Sequence, residues 1–338
     1  MRIAVDVMSG DNPPEELIKG ALSAANDFGV EVLLIGASEV VDKYADEDKG
    51  IYVKHANTVV TMEDSALSAI KEKDDSSVAV GAMLLKNNEA DALVSAGNTG
   101  ALISAASIRV RRVKGIRRAA IGTVVPLDKP FIIVDAGANP EVLPENLLQF
   151  AHMGALYAER VLGIKSPRVG LLSNGTEEIK GTPITKETYG YLKESDLNFV
   201  GNVESRDLPA GICDVLVCDG FTGNITLKLI EGMGKFMSRT INSLFRHSIW
   251  TKIAYLACKK EIKKLRKRLD AGEYGGAPIL GISKPVIKAH GNSDAKSMYN
   301  AIRQAKQFAE SGIIQEFENR FRRNTANESK DVNIPSAD

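Results

Sequence analysis

Short apolar runs that stop at a small or polar turn recur along the whole chain. "RIAVDVM" (2–8) reads as a buried strand, followed by the turn "SGDNPP" and helical periodicity from Glu15 to Phe28. "EVLLIG" (31–36) and "IYVKHA" (51–56) read as further strands. So do "DALVSAG" (91–97), "AAIGTVVP" (119–126), "FIIVDAG" (131–137), "RVGLLSNG" (168–175), "LNFVGN" (197–202) and "CDVLVCDG" (213–220). Most run directly into Gly, Asn, Asp or Thr, and most precede a helical pattern. Repeated strand, glycine turn and helix units predict an α/β fold with a mostly parallel, doubly wound sheet covered on both faces. Ligands in such sheets sit beyond the carboxyl ends of the strands, which makes the turns the place to look for chemistry.

"SAGNTGALISAA" (95–106) follows a strand and opens a helix. Gly97 and Gly100 allow close backbone approach, while Asn98 and Thr99 add donors, so the turn can face an anion. The plainer account is a tight turn with an ordinary N-cap. "DAGAN" (135–139) and "DGFTGN" (219–224) close two other strands. Asp135 and Asp219 suit caps or turns. Asn139 and Asn224 are neutral amides that can donate to an oxyanion without adding charge. "AHGNSDAKS" (289–297) gathers His290, Asn292 and Ser293 around Gly291 before another helix. "NGTEEIKGT" (174–182) resembles a phosphate-binding loop, but Lys180 precedes its second glycine. Either Lys180 serves a strand-end pocket or it belongs to a solvated loop with Glu177 and Glu178.

The segment 241–270 differs in kind. Ile241, Leu244, Phe245, Ile249, Ile253 and Leu256 recur at helical spacing beside Trp250, and Lys259, Lys260, Lys263, Lys264, Arg266, Lys267 and Arg268 follow. One account is a core-facing helix followed by a solvated one. The others are contact with a membrane surface or docking of an acidic protein, with Ile249, Trp250, Ile253, Lys263, Lys264, Arg266 and Lys267 as the residues for either. Nucleic acid is disfavoured, because aromatics interleaved with the charges are missing.

Composition narrows the classes. Among 338 residues, Lys plus Arg and Asp plus Glu are both 43, so no strong net charge favours nucleic acid. Cys213, Cys218 and Cys258 are too few for a disulfide framework, and Cys213 and Cys218 are expected as buried thiols. No metal-ligand spacing, Gly-x-Ser-x-Gly or dinucleotide fingerprint is present. No apolar run reaches the roughly 18–20 residues of a membrane span. No leader segment is expected, and the protein reads as cytoplasmic. One domain over 1–323 is expected, with a flexible tail at 324–338.

"VDVMSGDNPP", "SAGNTGALISAA", "VDAGAN", "RVGLLSNGTEEIKGT", "DVLVCDGFTGNITLK", "YGGAPILGI" and "VIKAHGNSDAKSMYNAIRQA" occur in this order over nearly the whole chain. Together they resemble the PlsX family of acyl carrier protein:phosphate acyltransferases. The family opening usually carries glycine where this chain has Ser9. The resemblance implies a three-layer sandwich similar to isopropylmalate dehydrogenase and phosphotransacetylase, and a homodimer. It implies transfer of a long fatty acyl group from acyl carrier protein to inorganic phosphate, with neither metal nor redox cofactor. The acyl phosphate would pass to a membrane acyltransferase for phosphatidic acid synthesis. Peripheral membrane association is implied for a basic hairpin at 241–270. The resemblance points to Lys180 and Asn224 for the chemistry. Asn98, Thr99, Gly100, Asn139, His290, Asn292 and Ser293 are then expected to bind phosphate or substrate. Two alternatives are a phosphotransacetylase-like enzyme using acyl coenzyme A, and a non-catalytic adaptor.

Overall fold

Valine, isoleucine and leucine in short runs favour a pleated surface buried on both faces, and the chain forms its sheet from such runs. The computed structural model describes residues 1–61, 63–65, 72–246, 248–268 and 275–328. Its strands are β1 (Arg2–Asp6), β2 (Glu31–Gly36), β3 (Ile51–His55), β4 (Ala92–Ser95), β5 (Ala120–Val125) and β6 (Phe131–Val134). They continue with β7 (Val169–Leu172), β8 (Phe199–Val203), β9 (Val215–Val217), β10 (Gly276–Leu280) and β11 (Val286–Ala289). All eleven join one sheet, in the order β3-β2-β1-β4-β11-β10-β5-β6-β9-β7-β8.

β3, β2, β1, β4 and β11 are mutually parallel. β10 then runs antiparallel to both β11 and β5, and β5 antiparallel to β6. From β6 through β9 and β7 to β8 the strands are again parallel. The two parallel groups therefore point in opposite directions, hinged on β10 and β5. Nine strands lie where the apolar runs predict them. β10 and β11 are the additions, and they sit at the centre.

Helices cover both faces. Pro14–Phe28 buries Leu17, Ile18, Ala21 and Ala24, and full burial of Leu17 or Ile18 contributes about 2 kcal/mol each. Its Gly20 meets the helix Ala295–Glu310 so closely that a Cβ would lie 2.3 Å from the Ala295 carbonyl. Gly29 closes the helix in the left-handed conformation. On the same side Tyr157, Phe150, Phe308 and Phe317 fill the core. Cys213 and Cys218 are buried as expected, and Cys258 is exposed. Burial pushes the Cys213 thiol up to about 12, so it is not a nucleophile at neutral pH.

The basic segment forms part of two helices, Gly220–Leu244 and Ile249–Arg268, in contact through the rings of Phe245 and Tyr255 5.6 Å apart. The core-facing account of its apolar stripe fails. Leu244, Ile253 and Leu256 are exposed, and Trp250 is 76% exposed. Lys263 and Lys264 are exposed, while the side chains of Ile249, Arg266 and Lys267 lie outside the described residues. Among the described residues no helix is long and apolar enough to cross a membrane. The last helix, Ile313–Glu328, extends into the segment read as tail, because its apolar anchors Ile313, Phe317 and Phe321 are buried. Residues 329–338 lie outside the described residues.

Candidate active site

Three turns from the first parallel group meet. Asp11 N donates to the Gly291 carbonyl at 2.7 Å, and Asn12 Nδ2 donates to the carbonyls of Asn292 and Ser293 at 3.0 and 2.9 Å. The turn after β1 thus braces the turn after β11. Gly97, after β4, has no room for a side chain, since a Cβ would lie 2.8 Å from the Ser9 Cβ. Beneath them Asp6 is fully buried and accepts from Ser95 Oγ at 2.7 Å and Met8 N at 3.1 Å. Ser95 Oγ in turn accepts from Gly97 N at 3.1 Å.

The second parallel group presents its own turn. Asp135 Oδ1 accepts from the amides of Ile121, Gly137 and Ala138, and Oδ2 from Asn139 N and Nδ2. Burial pushes the Asp135 carboxyl up, and these donors oppose it. Gly137, at positive φ, faces Asn224, whose Cβ would sit 3.7 Å from a Cβ placed there. Asn224 itself is exposed on the first turns of Gly220–Leu244, a helix capped by Asp219 through Thr222 N.

Between the two groups lies a cavity of 1330 Å³, above the roughly 300–1,000 Å³ usual for small-molecule sites. Thr99, Gly137, Asn224, Lys228, Glu231, Lys288, His290 and Asn292 line it, and Ile121, Val125, Leu127, Ile230, Met233, Met237, Leu265 and Ala277 supply apolar wall. Lys288 Nζ donates to the carbonyls of Ala96, at 3.2 Å, and Ala289. Burial brings its pKa down to about 8, against the pull of Asp6 and Asp11 and with a further push from Lys228. Lys228 Nζ sits 3.0 Å from Glu231 Oε2 and 3.3 Å from His290 Nε2. For Glu231, burial works upward, yet hydrogen bonds with His290 and Lys228 hold the carboxyl at about 2, so it stays ionised.

The sequence candidates separate in three ways. Thr99, Asn224, His290 and Asn292 line one cavity. Asn98, Asn139 and Ser293 are occupied in holding turns, as the plainer account had it for Asn98. Asn98 Oδ1 caps Ala101 N, and its amide donates to the Thr61 and Asp64 carbonyls. Asn139 Nδ2 gives its hydrogens to Ala119 O and Asp135 Oδ2. The Ser293 hydroxyl donates to His290 O at 2.6 Å. Gly100 belongs to the helix Thr99–Ala105, outside the lining.

Lys180 also stands outside the lining, on an exposed loop after β7. β7 is two strands from β6, a lateral offset of roughly 10 Å. Its ammonium is not the partner of Glu178, which pairs with Lys193 at 3.0 Å. β6, β9 and β7 are parallel, so Lys180 shares an edge of the sheet with Asn224, which follows the neighbouring strand β9.

Lys288, Lys228 and Glu231 escape a reading by turns. Lys288 interrupts an apolar strand, and Lys228 and Glu231 lie inside a helix. The signal available was a lone charge in "PVIKAH", where an apolar run has no need of one.

The comparisons bear on the whole chain. The family model described as "Fatty acid synthesis protein" matches residues 1–316. The chain belongs to this family. A phosphate acyltransferase of Thermoanaerobacterium thermosaccharolyticum is 45% identical over 315 residues, 93% of this chain and 95% of its own. One of Desulfitobacterium hafniense is 45% identical over 331 residues, 96% and 99% of the two chains. The chain is thus an enzyme of the phosphate acyltransferase family. Among solved structures, a phosphotransacetylase from Streptococcus pyogenes aligns with a TM-score of 0.61 at 17% identity, over 91% of this chain and 94% of that one. A branched-chain phosphotransacylase from Enterococcus faecalis V583 gives 0.57 at 16%, over 91% and 99%. At those identities the likeness is one of fold, and the expected α/β sandwich is the observed one.

Proposed function

We propose that this phosphate acyltransferase moves a long fatty acyl group from the thioester of acyl carrier protein to inorganic phosphate, giving acyl phosphate. The observation that carries the reading is the cavity: cationic at the strand turns, apolar beyond, and large enough for a long chain. Lys288 and the amides at the start of Thr99–Ala105 hold the phosphate, with Lys228 and His290 on its other side. Glu231 balances Lys228, so the phosphate sees a net positive charge it can neutralise.

A phosphate oxygen attacks the thioester carbon, an oxyanion forms, and the carbon–sulfur bond breaks to leave a thiolate that takes a proton. Asn224 donates to the oxyanion, a role in which loss of one donor costs about 3 kcal/mol. Lys180 is assigned to the developing charge on the sulfur, reached from the shared edge of the sheet as the thioester extends toward it. No side-chain nucleophile is needed, since phosphate is one. Asn98, Asn139 and Ser293 serve by shaping the turns, and Gly100 by leaving its helix start open.

The exposed Trp250, Ile253 and Leu256 support membrane contact by the two-helix hairpin, next to the acyltransferase that would use the product. The exposed row Phe221, Ile225, Leu229 and Phe236 supports a second copy of the chain as its cover. A cytoplasmic location fits a donor of this kind.

Release of carrier thiol, measured with palmitoyl carrier protein with and without phosphate, tests the reaction. Phosphate-dependent release is expected, and much slower release from acetyl coenzyme A. Equal or faster turnover of the acetyl donor would assign the enzyme to short-chain chemistry instead, and carrier binding without release would make it an adaptor.

A further inference from the structure

The cavity leaves unused the strongest cluster of positive charge outside the hairpin. "RVRRVKGIRR" (109–118) contains Arg109, Arg111, Arg112, Lys114, Arg117 and Arg118 and no acidic residue. Val110, Val113, Ile116 and Ala119 are buried, and this spacing of three anchors the segment while turning the cations outward. Arg111, Arg112, Lys114, Arg117 and Arg118 are all exposed.

The segment is held firmly. Val113 N donates to Gly281 O and Ser283 N to Arg111 O, at 2.9 and 3.0 Å. Arg112 Nη1 donates to Arg117 O at 2.6 Å, and Arg117 N to Gln149 Oε1 at 2.9 Å. Gly115, at positive φ, lies against Phe321, where a Cβ would be 2.6 Å from the carbonyl oxygen. Among the described residues, Arg111, Arg112, Lys114 and Arg118 form no ion pair. Arg112 and Arg118 also brace the loop, but like charges fixed close together and left unneutralised repel one another. They favour an incoming partner of opposite sign, through steering and through release of their mutual repulsion.

The loop also adjoins the cavity. Arg118 Nη1 is 3.5 Å from Asn139 Oδ1, and Asn139 is bonded to Asp135, two residues before the lining Gly137. On the other side, Thr99–Ala105 and the π-helical turn Ala106–Val110 run from the lining Thr99 to the loop, a span of roughly 16 Å. Ile108, exposed on that turn, adds an apolar contact beside the cations. The loop carries no aromatic side chain on which a nucleic-acid base would stack.

We propose that the loop 109–118, with Ile108, is the docking surface for an acidic carrier protein, which passes its thioester arm along this side of the molecule into the cavity. The proposal rests on the carrier-borne thioester being the acyl donor.

The test compares wild type with Arg111→Gln/Lys114→Gln, using palmitoyl carrier protein and palmitoyl coenzyme A as donors to phosphate. The ratio of kcat/KM for the carrier donor to that for the coenzyme A donor is expected to fall about tenfold, as for two rim charges. Added salt should raise the wild-type KM for the carrier donor, and the variant should respond less. A Lys19→Gln/Lys86→Gln pair, with the same change of charge elsewhere on the surface, should keep the wild-type ratio. An unchanged ratio in the loop variant overturns the proposal. Wild type that uses the coenzyme A donor and not the carrier donor overturns the donor assignment and the docking surface with it. Weaker binding of the loop variant to phosphatidylglycerol vesicles, with the ratio unchanged, assigns the loop to lipid and overturns carrier docking.

Discussion

Lys288 Nζ lies 3.2 Å from the carbonyl oxygen of Ala96, so one ammonium ties the end of β11 to the end of β4 and faces the cavity. Replacing it with methionine removes a charge-assisted bond to phosphate of about 2 kcal/mol, and the KM for phosphate is expected to rise roughly thirtyfold. Lys288→Arg should recover part of that loss. The ammonium, at about 8, loses its proton as the pH rises through that value, with Asp6 and Asp11 favouring the charged form and Lys228 opposing it. Wild-type phosphate KM should therefore climb above pH 8, and Lys288→Arg should flatten the climb because arginine keeps its charge. Steady-state kinetics from neutral pH to about pH 9 measure both effects.

Asn224 and Lys180 should report on turnover instead. Asn224→Ala is expected to lower kcat by roughly a hundredfold while phosphate KM stays near wild type, the signature of a donor used in the transition state. Lys180→Ala should behave likewise and fold normally, since its side chain is exposed. Near-normal acyl phosphate formation by Lys180→Ala would remove that lysine from the mechanism and leave the cations of the cavity to serve the sulfur.

Ala277, at the start of β10, stands in the apolar wall. Ala277→Phe fills chain-binding space, and because Ala277 pairs across the sheet with Lys288, the phosphate KM of the variant is measured alongside. Its kcat/KM should fall about tenfold or more for palmitoyl donors and much less for short ones, as expected for lost apolar burial of a few methylenes. A uniform loss across chain lengths with phosphate KM unchanged would mean that acyl chains run elsewhere.

His152 couples stability to acid. It is buried, accepts from Arg320 Nη2 at 3.1 Å through Nδ1, and so sits neutral. Burial lowers its pKa to about 4, helped by Arg320 and opposed by Asp196. The unfolded chain, with an ordinary histidine near 6.5, binds the proton first. Stability is complete above that value and falls as the pH drops toward 4, by about 3 kcal/mol for this group. Urea titrations across that range should show the decline, and His152→Gln should lessen it.

What the sequence conceals is as physical as what it displays. Strands β1, β2 and β6 announce themselves because uninterrupted apolar residues end in a polar turn. β10 carries little strand signal, since "GGAP" begins with two glycines and holds Pro278, yet the strand is paired on both sides. β11 is cut by Lys288, the charge that makes it useful. Asn98, Asn139 and Ser293 have the composition of ligands, and only their partners reveal that their hydrogen bonds are already made. That Lys180 and Asn224 leave neighbouring strands follows from strand order, which local pattern does not encode.

The helix Gly220–Leu244 begins beside Gly137 and, at 25 residues, runs for roughly 38 Å before the hairpin turn. Its cavity row, Asn224, Lys228 and Glu231, borders its outer ridge, Phe221, Ile225 and Phe236, around a single axis. Whatever grips the ridge therefore fixes the roll of the whole rod, and with it the inward aim of the amide and the two charges. The enzyme's surroundings and its chemistry share one axle.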